Sequence, residues 1–313
     1  MFYQWRKDGV AIAGATNATL TLSKVQSSAG GSYTVTVTNA DGSVTSDPVA
    51  LTVVASRLSN VSVRTTLAAN QILTVGFTMQ GGAKPLLIRA AGPGLAALSI
   101  AGTMADPKLT LFKSSVLIET NDNWGSNAAA VANANAAVGA FPFAVASLDA
   151  ALVGSIDGGH TVQVSGPAAG NVIVEAYDAG SGLTPRLTNL SALNRVGTGA
   201  DVLIAGFTIT GSGPKNLLIR AVGPTLTTFQ AGLFQTLADP KLEVYSGQTK
   251  IGENDNWAAA LADTFTSVGA FSLLSGSKDA ALVVSLPPGG YTVQVFGADG
   301  GTGSALVEIY ELP

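Results

Sequence analysis

Cysteine is absent from all 313 residues, and that one absence excludes thiolate zinc centres, disulfide frameworks and cysteine nucleophiles. It leaves the compartment open, because a chain without Cys suits a bacterial surface as well as a reducing cytosol. Charge is scarce too. Lys, Arg, Asp and Glu make up 12% of the chain, about half of the usual share. The formal net charge is −4, and the densest basic cluster is Arg6-Lys7, beside Asp8. A nucleic-acid partner needs a basic stripe and is excluded on this ground. No stretch reaches the ~18 uninterrupted apolar residues that mark a membrane span. The Ala-rich run 128–151 is broken by Asn133, Asn135, Pro142 and Asp149. Histidine occurs once, as His160. A Ser-His-Asp triad would have to recruit it, and no Gly-x-Ser-x-Gly elbow accompanies it. The chain is expected not to be an enzyme.

What is abundant is small and β-compatible. Gly contributes 37 residues, with Thr, Ser, Val and Ala filling much of the rest. Strands joined by tight turns follow from that composition, and the weakly charged surface they leave favours self-association. The chain also repeats itself. Arg57-Leu58-Ser59-Asn60-Val61-Ser62 returns as Arg186-Leu187-Thr188-Asn189-Leu190-Ser191, and Leu86-Leu87-Ile88-Arg89-Ala90 as Leu217-Leu218-Ile219-Arg220-Ala221. Ala105-Asp106-Pro107-Lys108-Leu109 matches Ala238-Asp239-Pro240-Lys241-Leu242, and Asn121-Asp122-Asn123-Trp124 matches Asn254-Asp255-Asn256-Trp257. Asp149-Ala150-Ala151-Leu152-Val153 matches Asp279-Ala280-Ala281-Leu282-Val283, and Val174-Glu175 matches Val307-Glu308. Two copies of one domain are expected, 55–180 and 181–313.

Within the first copy, β-rich runs at 72–79, 85–90, 108–112, 150–156, 160–165 and 171–177 alternate with turn signals. That spacing predicts an antiparallel β-sandwich and an all-β fold class. A short helix is compatible with 126–137, and with 258–265 in the second copy. Residues 1–54 differ. Trp5, Leu20-Thr21-Leu22, Gly31-Ser32-Tyr33-Thr34-Val35 and the Asn39-Ala40-Asp41-Gly42 hairpin turn resemble the second half, strands C to G, of a bacterial immunoglobulin-like domain. The resemblance implies that Trp5 is the core Trp of strand C and Tyr33 the corner tyrosine. Strands A and B of that family have no counterpart before Trp5, and the N-terminus is neither a signal peptide nor a domain start, which implies sequence upstream. The two copies resemble tandem β-sandwich domains from large secreted proteins of environmental bacteria. Their Asp-Pro-Lys-Leu and Asn-Asp-Asn-Trp spacing is similar to that of the bacterial pre-peptidase C-terminal domain family. Both resemblances imply accessory extracellular modules, without an activity to carry over.

Duplication tests each candidate residue, since what the fold needs should occur twice. Arg89 and Arg220 end apolar strands in a chain with few charges. Each reads as a buried guanidinium paired with Asp149 or Glu175, and with Asp279 or Glu308, respectively. The alternative is an Arg that grips a ligand carboxylate. The oxygen-rich Asn121-Asp122-Asn123 and Asn254-Asp255-Asn256, closed by Asp106 and Asp239, suit a Ca²⁺ shell. They suit better a turn in which Asx side chains cap their own backbone, because the motif lacks the acidic density of an EF-hand. Trp124 and Trp257 read as core plugs beside that turn. His160 aligns with Tyr291 and reads as a strand residue. Asn17-Ala18-Thr19, Asn60-Val61-Ser62 and Asn189-Leu190-Ser191 have the form of glycosylation sequons, which chance also supplies in a Thr-rich chain.

An immunoglobulin-like sandwich lacking two strands exposes an apolar face and an unpaired edge. Completion by a β-element of a neighbouring copy would give an open-ended assembly. The expectation is a bacterial extracellular or cell-surface structural protein, a fibre subunit. The competing reading is an adhesive or carbohydrate-binding appendage of a secreted protein, opposed by an aromatic content of only 6%.

Overall fold

The computed structural model of the chain describes every residue except Lys24, Gln26, Val54, Ala200 and 230–234, and the side chain of Ser27. The chain divides into two units, Met1–Ala55 and Ser56–Pro313. The expected first boundary after residue 54 falls on Val54, outside the described residues.

Unit 1 is a single small antiparallel sheet. Its strands are β1 (Phe2–Lys7), β2 (Val10–Ala11), β3 (Gly31–Asn39), β4 (Gly42–Thr45) and β5 (Val49–Leu51). They run in the order β2-β1-β3-β4, with β5 also on β3. The period-2 alternation of Tyr33, Val35 and Val37 against Thr34, Thr36 and Thr38 sorts β3 into an apolar and a polar face. Trp5 lies opposite Val35 and Tyr3 opposite Val37, while Val44 lies opposite Val37 and Val49 opposite Tyr33. These bulky side chains thus share one face, whereas Phe2, opposite Thr38, lies on the other. Among the described residues of this unit, only Tyr33 is a buried hydrophobic, and Val44 and Val49 are 74% and 69% exposed. The Leu20–Leu22 run forms no strand.

Unit 2 holds fourteen strands in one hydrogen-bonded network. The first copy supplies β6 (Ser56–Leu67), β7 (Leu73–Ala91), β8 (Lys108–Lys113), β9 (Val116–Asn121), β10 (Ala150–Ser165) and β11 (Gly170–Asp178). The second supplies β12 (Arg186–Val196), β13 (Leu203–Gly211), β14 (Lys215–Val222), β15 (Pro240–Ser246), β16 (Thr249–Asn254), β17 (Ala280–Leu286), β18 (Gly289–Gly297) and β19 (Gly303–Glu311). The fold is all-β and antiparallel. Two short helices, α1 (Ala128–Val138) and α2 (Ala262–Ser267), fill the expected helical stretches. Two differences concern expected pairs of runs that merge: 150–156 and 160–165 form the single strand β10, and 72–79 and 85–90 form the single long strand β7. Gly81 and Gly82 carry φ of 91° and 120°, a bend open to glycine that lets the chain pass from one sheet to the other without leaving the ladder.

The copies are not separate sandwiches. β6 pairs with β11 of its own copy on one side and with β13 of the second copy on the other. By the same arrangement, β12 pairs with β19 and with β7. Each sheet therefore starts in one copy and finishes in the other. The first runs β10-β7-β11-β6 and continues β13-β18-β15-β16, and the second runs β17-β14-β19-β12 and continues β7-β10-β8-β9. The two junctions match residue for residue. Val61 pairs with Phe207 and Ser62 with Gly206, as Leu190 pairs with Phe77 and Ser191 with Gly76. Both carry the same bulge, at Ser59 and at Thr188. One apolar core spans both copies, from Leu58, Phe77 and Val174 to Leu187, Phe207 and Val307. An isolated copy would leave two sheet edges unpaired and this core half open.

Candidate functional site

A strongly charged cluster in the interior of each copy lies under its helix. Arg89 and Arg220 are fully buried because the apolar strands β7 and β14 carry them inward beside β11 and β19. Arg89 Nε donates to Glu175 Oε2 at 3.0 Å, and its Nη2 donates to the same oxygen. Arg89 Nη1 reaches the Phe141 carbonyl at 2.6 Å and Asn135 Oδ1 at 3.1 Å. Arg220 repeats this with Glu308 Oε2, at 2.9 and 2.5 Å, and with the Phe271 carbonyl at 2.6 Å. Phe141 and Phe143 cover the Arg89 guanidinium at 4.2 and 4.6 Å, while Phe271 and Phe265 cover that of Arg220 at 4.4 and 4.8 Å. The other carboxylate oxygen accepts a tyrosine hydroxyl, Tyr177 on Glu175 and Tyr310 on Glu308, both at 2.7 Å. Burial, followed by the neighbouring carboxylate, pushes both phenols well above the usual tyrosine range. The guanidinium and carboxylate groups are paired internally, which is what burying an ion pair requires, while the Nδ2 of Asn135 keeps no partner among the described residues.

Asp149 and Asp279 do not take the arginines. Asp149 accepts the backbone N–H groups of Gly92 (2.7 Å) and Gly94 (3.0 Å) and the Ser147 hydroxyl (2.7 Å). Asp279 accepts Gly223 N–H (2.7 Å), the Ser277 hydroxyl (2.6 Å) and the Thr225 hydroxyl. These carboxylates fix the turn after β7 and β14. The same serines hold the tryptophans: Trp124 Nε1 donates to Ser147 at 3.1 Å, and Trp257 Nε1 to Ser277 at 3.2 Å. Trp124 is buried, whereas Trp257 is only half-buried.

The Asn-Asp-Asn-Trp turns are tied to the fold by their first residue. Asn121 Oδ1 accepts Ala151 N–H at 3.0 Å, and Asn254 Oδ1 accepts Ala281 N–H at 2.9 Å. The Nδ2 groups close the turns onto the carbonyls of Asn123 and Asn256. Asp122, Asp255 and Asn256 are exposed and Asn123 is half-buried. Asp106 and Asp239 each keep one buried carboxylate oxygen without a partner among the described residues, while the other oxygen of Asp239 accepts Lys278. Among the described residues no three His, Cys, Asp or Glu side chains gather as a metal site. In unit 1, Trp5 Nε1 donates to the Asn17 carbonyl at 3.0 Å, and the Tyr33 hydroxyl donates to the Ala29 carbonyl at 2.7 Å. Trp5 itself is only half-buried.

Sequence reasoning missed Ser147, Ser277, Tyr177 and Tyr310. The duplication holds their signal, in Ser-x-Asp-Ala-Ala and in Glu-x-Tyr. It also missed the junction between the copies, and the sequons Asn60-Val61-Ser62 and Asn189-Leu190-Ser191 lie within it. Asn60 Nδ2 donates to the Ala176 carbonyl at 3.4 Å, and Asn189 Nδ2 to that of Ile309 at 3.2 Å, so both amides serve the sheet. No model of a known protein family matches this chain, and no curated protein matches it either.

Proposed function

We propose that the protein is a non-catalytic, extracellular structural protein of a bacterium, a fibre subunit whose unit 1 is completed by a β-element from a neighbouring copy. The observation that carries this reading is the open face of unit 1. A 55-residue sheet with one buried apolar side chain among its described residues is far short of the core that independent stability demands. Tyr3, Trp5, Val35, Val37, Val44 and Val49 line one side of it and wait for a second layer. The likeness to half of an immunoglobulin-like domain supports the same reading. A donated β-element would cover the face, and donation from chain to chain is heterologous and does not close. Unit 2 supports a structural role in another way, because its buried Arg89–Glu175 and Arg220–Glu308 pairs hold neighbouring strands together.

Electron microscopy and sedimentation of the purified chain test this directly. Filaments that grow with concentration are expected. Val35→Asp, which places a charge on the open face, should abolish them while leaving the melting of unit 2 unchanged. Compact monomers at every concentration would overturn the reading.

A further inference from the structure

The exchange of sheets in unit 2 builds two equivalent clefts, each of about 530 Å³, within the ~300–1,000 Å³ range of small-molecule sites. The first cleft takes Thr78 and Gln80 from the first copy and Arg186, Asn189, Tyr310 and Glu311 from the second; Pro313 also borders it. The second cleft takes Thr208 and Thr210 from the second copy and Arg57, Asn60, Tyr177 and Asp178 from the first. Neither cleft is complete in one copy alone. Their linings correspond position by position, with only Gln80 for Thr210 and Glu311 for Asp178 differing among these residues.

Two features define what would fit. The first is charge. Arg57 (3.0 Å) and Lys84 (2.8 Å) share the single carboxylate of Asp178, and Arg186 (3.0 Å) and Lys215 share that of Glu311. Each triad sets two cations against one anion, leaving one positive charge in surplus in a chain whose total is −4. Lys84, Asp178 and Glu311 are buried, whereas Arg57 and Arg186 are partly exposed and line the clefts, so the surplus is presented to the clefts through these two guanidinium groups. The second feature is neutral polarity. Asn60 and Thr208 line one cleft with Tyr177, and Asn189 and Thr78 line the other with Tyr310, which offers amide and hydroxyl groups to a ligand. A monoanion carrying several hydroxyl groups answers both. Phosphate fits less well, because Val138-Gly139 and Val268-Gly269 bring helix C-terminal ends to the clefts, and their carbonyls oppose a dianion.

We propose that the two clefts are paired binding sites for a uronate residue of an acidic polysaccharide. The sugar carboxylate meets Arg57 or Arg186, whose planar guanidinium suits it, and the ring hydroxyls meet Asn60 and Thr208, or Asn189 and Thr78. This assignment does not depend on how unit 1 is completed.

Calorimetric titration of the intact chain with trigalacturonate, and with neutral galactotriose as control, tests it. The expected result is saturable binding of trigalacturonate at two sites per chain, weakened by salt, with galactotriose at least ten-fold weaker. Gln80 and Thr210 are exposed, so Gln80→Glu and Thr210→Glu should leave melting unchanged. Each should remove one site, taking the stoichiometry from two to one. No heat at millimolar trigalacturonate, equal binding of galactotriose, or a stoichiometry that neither substitution changes would overturn the proposal.

Discussion

The two copies of unit 2 keep one interior under two different surfaces. Inside, the Arg–Glu–Tyr cluster, the Asp-capped turn and the Ser-held Trp recur with contacts that agree within a few tenths of an ångström. Outside, the hairpins diverge. β15–β16 carries Lys241, Glu243, Lys250 and Glu253 in contacts of 2.8 to 3.6 Å, and the two lysines hold the Glu253 carboxyl down to about 2. At the same positions β8–β9 has Lys108, Thr110, Leu117 and Thr120. Its edge exposes Val116, Leu117 and Ile118 by 63%, 55% and 50%. Exposed ion pairs contribute little, so a surface network can be gained or lost freely. A buried pair cannot be lost one partner at a time.

That asymmetry gives the largest expected effect. Arg89→Met or Arg220→Met strands a buried glutamate, which should cost about 3–5 kcal/mol. The two variants should be equally harmed. Because one core spans both copies, each should lower a single cooperative transition of unit 2 in chemical denaturation. Two separated transitions, or a loss below about 1 kcal/mol where a stranded charge demands several, would break the equivalence. Next in size is the Asx turn. Asn121→Ala and Asn254→Ala orphan the Ala151 and Ala281 N–H groups, at an expected cost of about 1–3 kcal/mol each. Melting curves with and without a chelator should superimpose for the parent and both variants. A chelator that reproduced the loss would instead assign these loops to Ca²⁺.

The interior was legible because duplication marks it. Arg89, Glu175, Asp149, Asn121 and Trp124 all stand out by recurring in a chain with few charges, although Asp149 and Glu175 could not be told apart as the arginine's partner until β11 was placed beside β7. The all-β class followed from short runs and turn residues, and the helices from their Ala content. The sheet exchange was not legible. Pairing of β6 with β13 rather than with a strand of its own copy depends on which edges meet in space, and the alternation of Leu58, Val61 and Val63 reads identically for either partner. The clefts inherit that blindness, since each draws its walls from strands more than a hundred residues apart.

The smallest effect concerns a position where the two cores differ in titratable chemistry. His160 stacks on Phe77 at 6.1 Å and Tyr291 stacks on Phe207 at 5.3 Å. Tyr291 donates to the Pro287 carbonyl at 2.8 Å, whereas His160 keeps a buried Nδ1 without a partner among the described residues. Burial pushes the His160 pKa below the ordinary histidine range; the Gly158 backbone and Asp157 oppose this and Lys113 adds to it. Above that range the ring is neutral in both folded and unfolded chains, so it imposes no pH dependence. As the pH falls through about 6.5, the unfolded chain takes up the proton first, and stability declines until the folded ring is protonated as well. His160→Tyr installs the residue of the second copy and removes this slope. The gap between variant and parent melting temperatures should therefore be constant from pH 9 to about pH 7 and widen between about pH 7 and 5, the window set by an ordinary histidine. A gap that stays constant throughout would mean that the ring is solvated in the native state, and that His160 is no less at home there than the tyrosine it replaces.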